Sequence, residues 1–408
     1  MNTREILGAF AQIQPMQALA AAAEHAAAPI HLQGLAGSGF ALATASLYAS
    51  TSRPIIAILP NKDEAQYFKS DLENLLVGEP IYFLPDSFLK PYNTARENAM
   101  GVQERIETLN ALRKNNKRIF VTYGSAIAEY VVDKVELEKS SIDIARGQNL
   151  DTEFLMEFLE INGFERRDFV FAPGEFSLRG GIVDLFSFAH EFPFRIELDG
   201  DIIESIRTFD AANQLSIASH HFFNVIPNTQ TGLSIEIQEN MLGFVGQQAI
   251  VWLSDADRTQ EIIKKEYEKA VEIHAKIDTP VKHALPNERY LSHLEWQEYI
   301  DKHRLVEYGP IYHFKASHQE LFDTIPQPSF NKDFERLNAD LKARKAAGFK
   351  NLIFSNQPQQ IERLYQIFKD ISAEGEFSAL PIALHEGFIC PELKLVCYTD
   401  HQLFERYH

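Results

Sequence analysis

A glycine-rich stretch near the N-terminus has the spacing of a nucleotide phosphate loop. It follows a short apolar run and precedes a helical run, which is where such a loop belongs. Its glycines are Gly34, Gly37 and Gly39. In a working loop the next two residues are Lys, which reaches the β- and γ-phosphates, and Ser or Thr, whose hydroxyl binds magnesium. Here they are Phe40 and Ala41, so we expect a degenerate loop without hydrolysis.

Two other interpretations of this stretch stay open. It is a tight glycine turn that joins a strand to a helix, or it belongs to an enzyme that binds nucleotide through backbone amides alone or with help from another chain. A helicase-like tetrapeptide, DEAQ at residues 63–66, follows soon after. It opens a helical pattern instead of ending a buried strand, so we interpret it as a solvated helix start.

Residue sets for other common chemistries are missing from the sequence. It contains no His-Glu-x-x-His, Cys-x-x-Cys or Gly-x-Ser-x-Gly pattern, and its histidines are typical of solvated loops. The two cysteines, Cys390 and Cys397, are too few for a disulfide framework and favour a reducing, cytoplasmic setting. We therefore predict no catalytic residue, no metal site and no cofactor, and a chain that is not itself an enzyme.

Length and charge limit the function further. A chain of 408 residues predicts two to four domains. Lys and Arg number 39 against 57 Asp and Glu, which leaves a net charge of −18 and disfavours a broad nucleic-acid footprint. Weak duplex DNA binding is kept only as a third possibility. Neither an export signal nor an 18-residue apolar run is apparent, so we expect no membrane contact.

The hydrophobic pattern predicts an α/β protein of several domains. Strand-like and helical stretches alternate in the first third, which implies parallel pairing. Phe68, Leu72 and Leu75 have helical spacing and predict a helix over residues 63–75. From about residue 130 the pattern changes to short strands with Gly and Pro turns. The last stretch alternates again and includes a predicted strand over residues 380–384.

The most specific motif lies within residues 163–210. Its centre reads PGEFSLRGGIVDLF over residues 173–186, with GFERRD before it and FRIE and DGDIIESIRTFD after it. This segment strongly resembles the UvrB-homology module shared by the B subunit of the bacterial nucleotide-excision nuclease and the bacterial transcription-repair coupling factors. The degenerate phosphate loop makes the coupling factors the nearer resemblance.

The resemblance implies an architecture. A degenerate P-loop, ATPase-like parallel-sheet domain comes in two halves, residues 1–129 and 227–325. A small sheet-rich α+β domain at residues 130–226 interrupts it, and a small α/β domain at residues 326–408 follows it.

The resemblance also implies a partner. In both families the inserted domain docks onto UvrA, the A subunit of the excision nuclease, and the B subunit does so through arginines. Two of those positions hold Arg166 and Arg179, whereas a third holds Ser177. We include Phe176 as a candidate contact, although filling the small core is its alternative role.

The charge pattern around these arginines fits a protein partner. Residues 163–210 contain five Arg, no Lys and ten acidic residues, which is no nucleic-acid patch. Isolated arginines in an acidic sheet suit bidentate pairing with carboxylates of a partner. The alternative is that they pair with Glu165, Asp168 or Glu175 on the surface, where such pairs contribute about 0–1 kcal/mol.

We thus expect an adaptor module of transcription-coupled nucleotide excision repair that recruits UvrA. The alternative is a P-loop nucleotide-binding or helicase-like enzyme fragment. The only aromatics between residues 85 and 103 are Phe88 and Tyr92, so we expect no aromatic DNA-gripping hairpin there. The resemblance assigns DNA, RNA polymerase and a masking C-terminal domain to other parts of a longer protein, of which we expect this chain to be a fragment.

Overall fold

The computed structural model describes residues 2–25, 29–87, 99–114, 117–228, 238–276, 285–309, 311–316, 318–371 and 375–404. Over these residues the chain is a mixed α/β protein. It has a seven-stranded sheet, a six-stranded sheet, a five-stranded sheet and two two-stranded ribbons.

The first part of the chain alternates helices and strands, as its pattern predicts. Its elements are α1 (Thr3–Phe10), α2 (Gln14–His25), β1 (Ile30–Gln33), α3 (Gly39–Ser50), β2 (Ile55–Leu59), α4 (Lys62–Leu75), β3 (Ile81–Phe83), α5 (Ala99–Arg113), β4 (Ile119–Tyr123) and α6 (Gly124–Ala128).

Helix α4 confirms both predictions made for its sequence. The side chain of Asn61 accepts a hydrogen bond from the amide of Glu64 at 3.0 Å and so caps the helix start. Phe68, Leu72 and Leu75 are buried on one face of it. The DEAQ tetrapeptide thus lies in the first turn of a helix, where acidic side chains stabilise the helix through its dipole.

The middle of the chain is rich in short strands. Its elements are β5 (Val131–Val132), α7 (Lys134–Lys139), β6 (Ile142–Ala145), α8 (Thr152–Ile161), β7 (Glu165–Arg166), β8 (Glu175–Arg179), β9 (Ile182–Leu185), β10 (Phe194–Asp199), β11 (Ile202–Phe209), β12 (Ser216–His220) and β13 (Phe222–Val225). Strands β7 to β12 form the six-stranded sheet in chain order, antiparallel except for the β7–β8 pair.

The third part of the chain returns to the seven-stranded sheet. Its elements are β14 (Gln238–Glu239), α9 (Met241–Val245), β15 (Ile250–Ser254), α10 (Ala256–His274), a 3₁₀ turn (Pro286–Glu288), α11 (His293–Asp301), β16 (Arg304–Tyr308) and β17 (His318–Leu321). The strand order is β17-β1-β16-β15-β2-β4-β3, and every neighbouring pair is parallel. Strands from before and after the six-stranded sheet therefore belong to one large parallel sheet, in which β1 lies between β16 and β17.

The last part forms a small α/β unit. Its elements are β18 (Ile325–Pro326), α12 (Phe334–Ala346), β19 (Lys350–Phe354), α13 (Pro358–Asp370), β20 (Ser378–Leu380), β21 (Phe388–Cys390), β22 (Leu395–Thr399) and α14 (Asp400–Phe404). The strand predicted over residues 380–384 is wrong beyond Leu380, because β20 ends there and Pro381, which has no N–H to give to a ladder, follows.

The last unit packs on the large sheet. Phe354, Phe388 and Cys397 belong to the same buried cluster as Leu32 of β1 and Ala41 of α3.

Both cysteines are buried as free thiols. Within the described ranges no cluster of His, Cys, Asp and Glu is arranged to hold a metal ion. None of the helices described above has both the length and the apolar composition needed to cross a bilayer.

Candidate functional site

The six-stranded sheet has one apolar and one polar face. Alternate side chains of a strand point to opposite faces, so Phe176 of β8 enters the domain core while its neighbour Ser177 faces the other way. Ser177 lies opposite Asp184 of β9, and Asp184 lies opposite Arg195 of β10. The register thus places a carboxylate beside an arginine in the middle of the polar face.

Arg179 is fixed to this face by two contacts. Its Nη2 donates a hydrogen bond to Asp184 Oδ2 at 2.6 Å. Its guanidinium carbon lies 4.4 Å from the ring centre of Phe169, within cation–π range. Asp184 is fully buried, whereas 38% of the Arg179 side chain stays exposed. The guanidinium is therefore anchored on the inner side and accessible on the outer side.

Arg195 completes the neutralisation of Asp184. Its Nε and Nη2 donate to the two carboxylate oxygens at 2.7 and 2.8 Å. The hydrogen bond from Arg195 to Asp184 raises the pKa of Arg195 above its usual value. A buried carboxylate is tolerated when it is paired and hydrogen-bonded, and here two arginines meet that need.

Arg166 and Arg179 line the same open cleft. The cleft has a volume of about 440 Å³, and we call it the arginine cleft; its lining residues are Arg166, Arg167, Asp168, Ser177, Leu178 and Arg179. Arg166 comes from the edge strand β7, next to β8 in parallel register. The tertiary structure therefore brings together the two arginines that the sequence singled out.

Two of the three acidic neighbours considered as surface partners, Glu165 and Glu175, pair with a different arginine. Arg167 Nη2 lies 2.5 Å from Glu165 Oε2, and its Nε lies 3.5 Å from Glu175 Oε1. Among the residues that the structure describes, Arg166 has no ion-pair partner. Arg179 does pair within the chain, but with the buried Asp184 of the next strand, which sequence proximity alone did not indicate.

Two of the candidate contact residues are not accessible. Phe176 is fully buried among the core residues of the inserted sheet, so the expectation that its ring contacts a partner directly is not supported. Ser177 is 1% exposed, and its hydroxyl donates to the carbonyl of Asp168 at 3.0 Å. An accessible aromatic ring beside the cleft is that of Phe169, which contacts Arg179 and is 49% exposed. The sequence alone did not distinguish it from the neighbouring phenylalanines.

The glycine-rich loop joins β1 to α3, and three amides at its end are hydrogen-bonded to carbonyls. The amide of Ser38 donates to the carbonyl of Glu386 at 3.0 Å. The amides of Gly39 and Phe40 donate to the carbonyls of Ala36 and Gly37 at 3.0 and 3.4 Å. Three amides at the start of α3 thus have carbonyl partners where a phosphate loop would present them to an anion.

Close approach of the last part of the chain explains two of the glycines. A Cβ atom at Gly34 would lie 1.9 Å from the carbonyl oxygen of Phe322. One at Gly37 would lie 2.7 Å from the carbonyl oxygen of Gly387. Both glycines also have positive φ, of 74° and 50°, which side-chain-bearing residues rarely adopt. Gly39 has no such contact, since its nearest neighbour would be 3.6 Å away.

Phe40 and Ala41, the two residues after the glycines, are apolar and lie in apolar surroundings. The ring of Phe40 packs against that of Tyr308 with a centroid separation of 4.4 Å. Ala41 is buried in the core beneath the large sheet. Neither position supplies a cation or a hydroxyl to a nucleotide.

A buried carboxylate lies beside the loop. Ser38 Oγ donates to Asp71 Oδ2 at 2.5 Å, and the amide of His385 donates to Asp71 Oδ1 at 2.7 Å. Burial raises the pKa of Asp71 to about 7 in spite of these hydrogen bonds. Glu64 and Glu386 line the same pocket of about 290 Å³. Three carboxyl groups make this pocket unfavourable for a polyphosphate.

The part of the chain that holds the arginine cleft is similar to a known family of domains. The family model of the UvrB interaction domain matches residues 142–230, which contain the six-stranded sheet and the arginine cleft. The transcription-repair-coupling factor of Bacillus subtilis (strain 168) is 34% identical over 197 residues, which are 48% of this chain and 17% of that protein. That of Staphylococcus aureus (strain USA300) is 21% identical over 442 aligned residues, which cover 91% of this chain and 38% of the relative.

These findings support the interpretation of this chain as an N-terminal UvrB-homology module of the transcription-repair-coupling factor, Mfd. The chain spans less than two fifths of the length of these relatives. Residues 88–98, which include most of the segment where no DNA-gripping hairpin is expected, lie outside the described residues, as do residues 405–408 at the end of the chain.

Proposed function

We propose that this chain is an adaptor module of transcription-coupled nucleotide excision repair, and that its inserted sheet domain binds UvrA. The observation that carries the proposal is the convergence of Arg166 and Arg179 on one open cleft. The match of residues 142–230 to the UvrB interaction domain and the similarity to transcription-repair-coupling factors support it.

The geometry of the cleft suits recognition of carboxylates. Arg179 is held by a charge-assisted hydrogen bond to a buried group, so little side-chain freedom is lost when a partner binds its outer side. Arg166 lies on an edge strand and has no ion-pair partner within the described ranges. Arginine presents its donors in a planar fork that matches a carboxylate. We therefore assign both arginines to acidic side chains of UvrA.

We further propose that the glycine-rich loop is a degenerate phosphate loop and that the module hydrolyses no ATP. Phe40 and Ala41 replace the residues that bind phosphate and magnesium, and carboxyl groups line the adjoining pocket. Contacts with DNA, RNA polymerase or a masking domain belong, in this proposal, to other parts of a longer protein.

The proposal is tested by calorimetric titration of purified UvrA with the wild-type chain and with the variants Arg166→Ala and Arg179→Ala. Truncation of an interface arginine costs roughly 2 kcal/mol, so each variant is expected to bind about 30-fold more weakly. Arg207→Ala is the matched control, because Arg207 is a half-buried arginine of the same sheet that pairs with Glu197 and does not line the cleft.

Two results would contradict the proposal in different ways. If the wild-type chain shows no heat of binding and no complex with UvrA, the function is wrong. If both cleft variants bind as tightly as wild type and as Arg207→Ala, the function survives but the assigned residues are wrong.

A further inference from the structure

The phosphate-loop site of this chain is occupied by the chain itself. Residues 385–387, which we call the plug segment, precede β21 in the last α/β unit and lie against the loop. The carbonyl of Glu386 accepts the amide of Ser38, and the amide of Glu386 donates to Ser38 Oγ at 3.0 Å. A backbone carbonyl thus takes the place in which a loop of this kind would hold a phosphate oxygen.

Asp71 ties the plug segment to a second element of the large-sheet unit. It accepts the amide of His385 on one oxygen and the hydroxyl of Ser38 on the other. The ring of His385 also stacks on Tyr67 of α4, with a centroid separation of 3.7 Å. The plug segment is therefore joined to the loop by two hydrogen bonds between Glu386 and Ser38. It is joined to α4 by the hydrogen bond from His385 to Asp71 and by the stacking of His385 on Tyr67.

The chain that enters the last unit lies along the same loop. The amide of Phe322 donates to the carbonyl of Gln33 at 2.9 Å. Both the amide and the hydroxyl of Thr324 donate to the carbonyl of Gly34, at 3.1 and 2.8 Å. The loop is consequently held between residues 322–324 and the plug segment, which leaves room for no Cβ atom at Gly34 or Gly37.

We propose that the plug segment is the resident ligand of this loop and that it fastens the last α/β unit to the large sheet. The buried cluster shared by the two units extends from Phe388 and Cys397 to Leu32 and Ala41. The polar contacts of the loop fix the position of the last unit on that apolar surface. The loop glycines allow a close intramolecular contact between the two units. A nucleotide would have to displace the plug segment to reach the amides of the loop.

Hydrogen exchange of the whole chain tests this proposal. Gly37→Ala places a methyl group against the plug segment, so β21 and β22 are expected to exchange about tenfold faster or more while β8 to β11 stay unchanged. Gly200→Ala is the matched control, because Gly200 has a similar φ of 61° but no atom within 4 Å of a Cβ position. It reproduces the backbone strain without the contact.

Ser38→Ala provides a second variant that leaves the backbone conformation unrestricted. It removes the hydroxyl that joins Glu386 to Asp71, and the same acceleration in β21 and β22 is expected. Unchanged exchange of these strands in both variants would overturn the proposal. Equal acceleration in β2 and β15 would overturn it as well, because the loss would then belong to the whole large sheet and not to a local attachment.

Discussion

Arg179 and Asp184 form an ion pair in which one partner is solvent-accessible and the other is fully buried. The Nη2–Oδ2 distance is 2.6 Å, and Arg195 binds the same carboxylate from the neighbouring strand. Because water cannot reach Asp184, the guanidinium of Arg179 keeps its position before any partner arrives. This arrangement makes Asp184 a positioning residue for the arginine cleft.

Asp184→Asn is expected to weaken UvrA binding although Asp184 touches no partner. The change leaves two arginines beside a neutral amide, and loss of one member of a buried pair costs about 3 kcal/mol of unfolding free energy. Denaturant unfolding and calorimetric titration measure the two effects. Glu197→Gln is the control, because Glu197 and Arg207 are both about one third exposed and such a pair contributes about 0–1 kcal/mol. Equal losses in the two variants would show that Asp184 has no special role.

Phe176→Ala and Phe169→Ala are expected to separate stability from binding. Phe176 is fully buried, so its truncation costs about 3–5 kcal/mol of unfolding free energy. Phe169 is half exposed under Arg179, so its truncation leaves the melting temperature nearly unchanged but weakens UvrA binding. Thermal unfolding and titration of the two variants check this. The assignment of Phe169 to the cleft fails if its variant binds like wild type.

The stability of the wild-type chain is expected to decrease from about pH 4 to pH 7 relative to that of Asp71→Asn. Burial raises the pKa of Asp71 from about 3.9 in an unfolded chain to about 7, so the folded state binds this proton more strongly. The stabilising contribution of protonated Asp71 is complete below the unfolded pKa, and it is fully lost once the pH has risen through about 7. The groups that face Asp71 are Glu64, Tyr67, His385 and Glu386.

Those four groups are present both in the wild-type chain and in Asp71→Asn. The difference between their curves of unfolding free energy against pH therefore isolates the titration of Asp71. Chemical denaturation at half-unit pH steps provides the measurement. Curves that stay parallel between pH 4 and 7 would show that Asp71 does not titrate in this window.

ATP with magnesium is expected to leave the thermal unfolding of the chain unchanged. A ligand that binds only the folded state stabilises it by about 2.7 kcal/mol at a concentration 100 times its dissociation constant. A scan of melting temperature against ATP concentration checks the expectation. A shift that grows with concentration would instead favour the alternative of a nucleotide-binding enzyme. Magnesium alone and ADP serve as reference conditions.

Local sequence patterns predicted the secondary structure correctly where the spacing of apolar residues and an acidic first turn both indicate a helix. The apolar spacing in α4 and its acidic first turn both match the observed helix. The predicted strand at residues 380–384 shares only Leu380 with the observed strand Ser378–Leu380, because hydrophobicity alone does not register that Pro381 lacks an amide. The sequence left open whether Phe176 is a partner contact or a core residue, since burial depends on which face of β8 packs on the core.

Residue types alone determined that the glycine-rich loop lacks a phosphate-binding Lys and a metal-binding hydroxyl, and they placed two arginines in a specific motif. Only the tertiary structure decided what these groups contact. Ser38 meets Glu386 across 348 positions of sequence, and Arg179 meets Asp184 through the register of β8 and β9. Such contacts depend on chain topology and strand register, which no local pattern of side chains specifies.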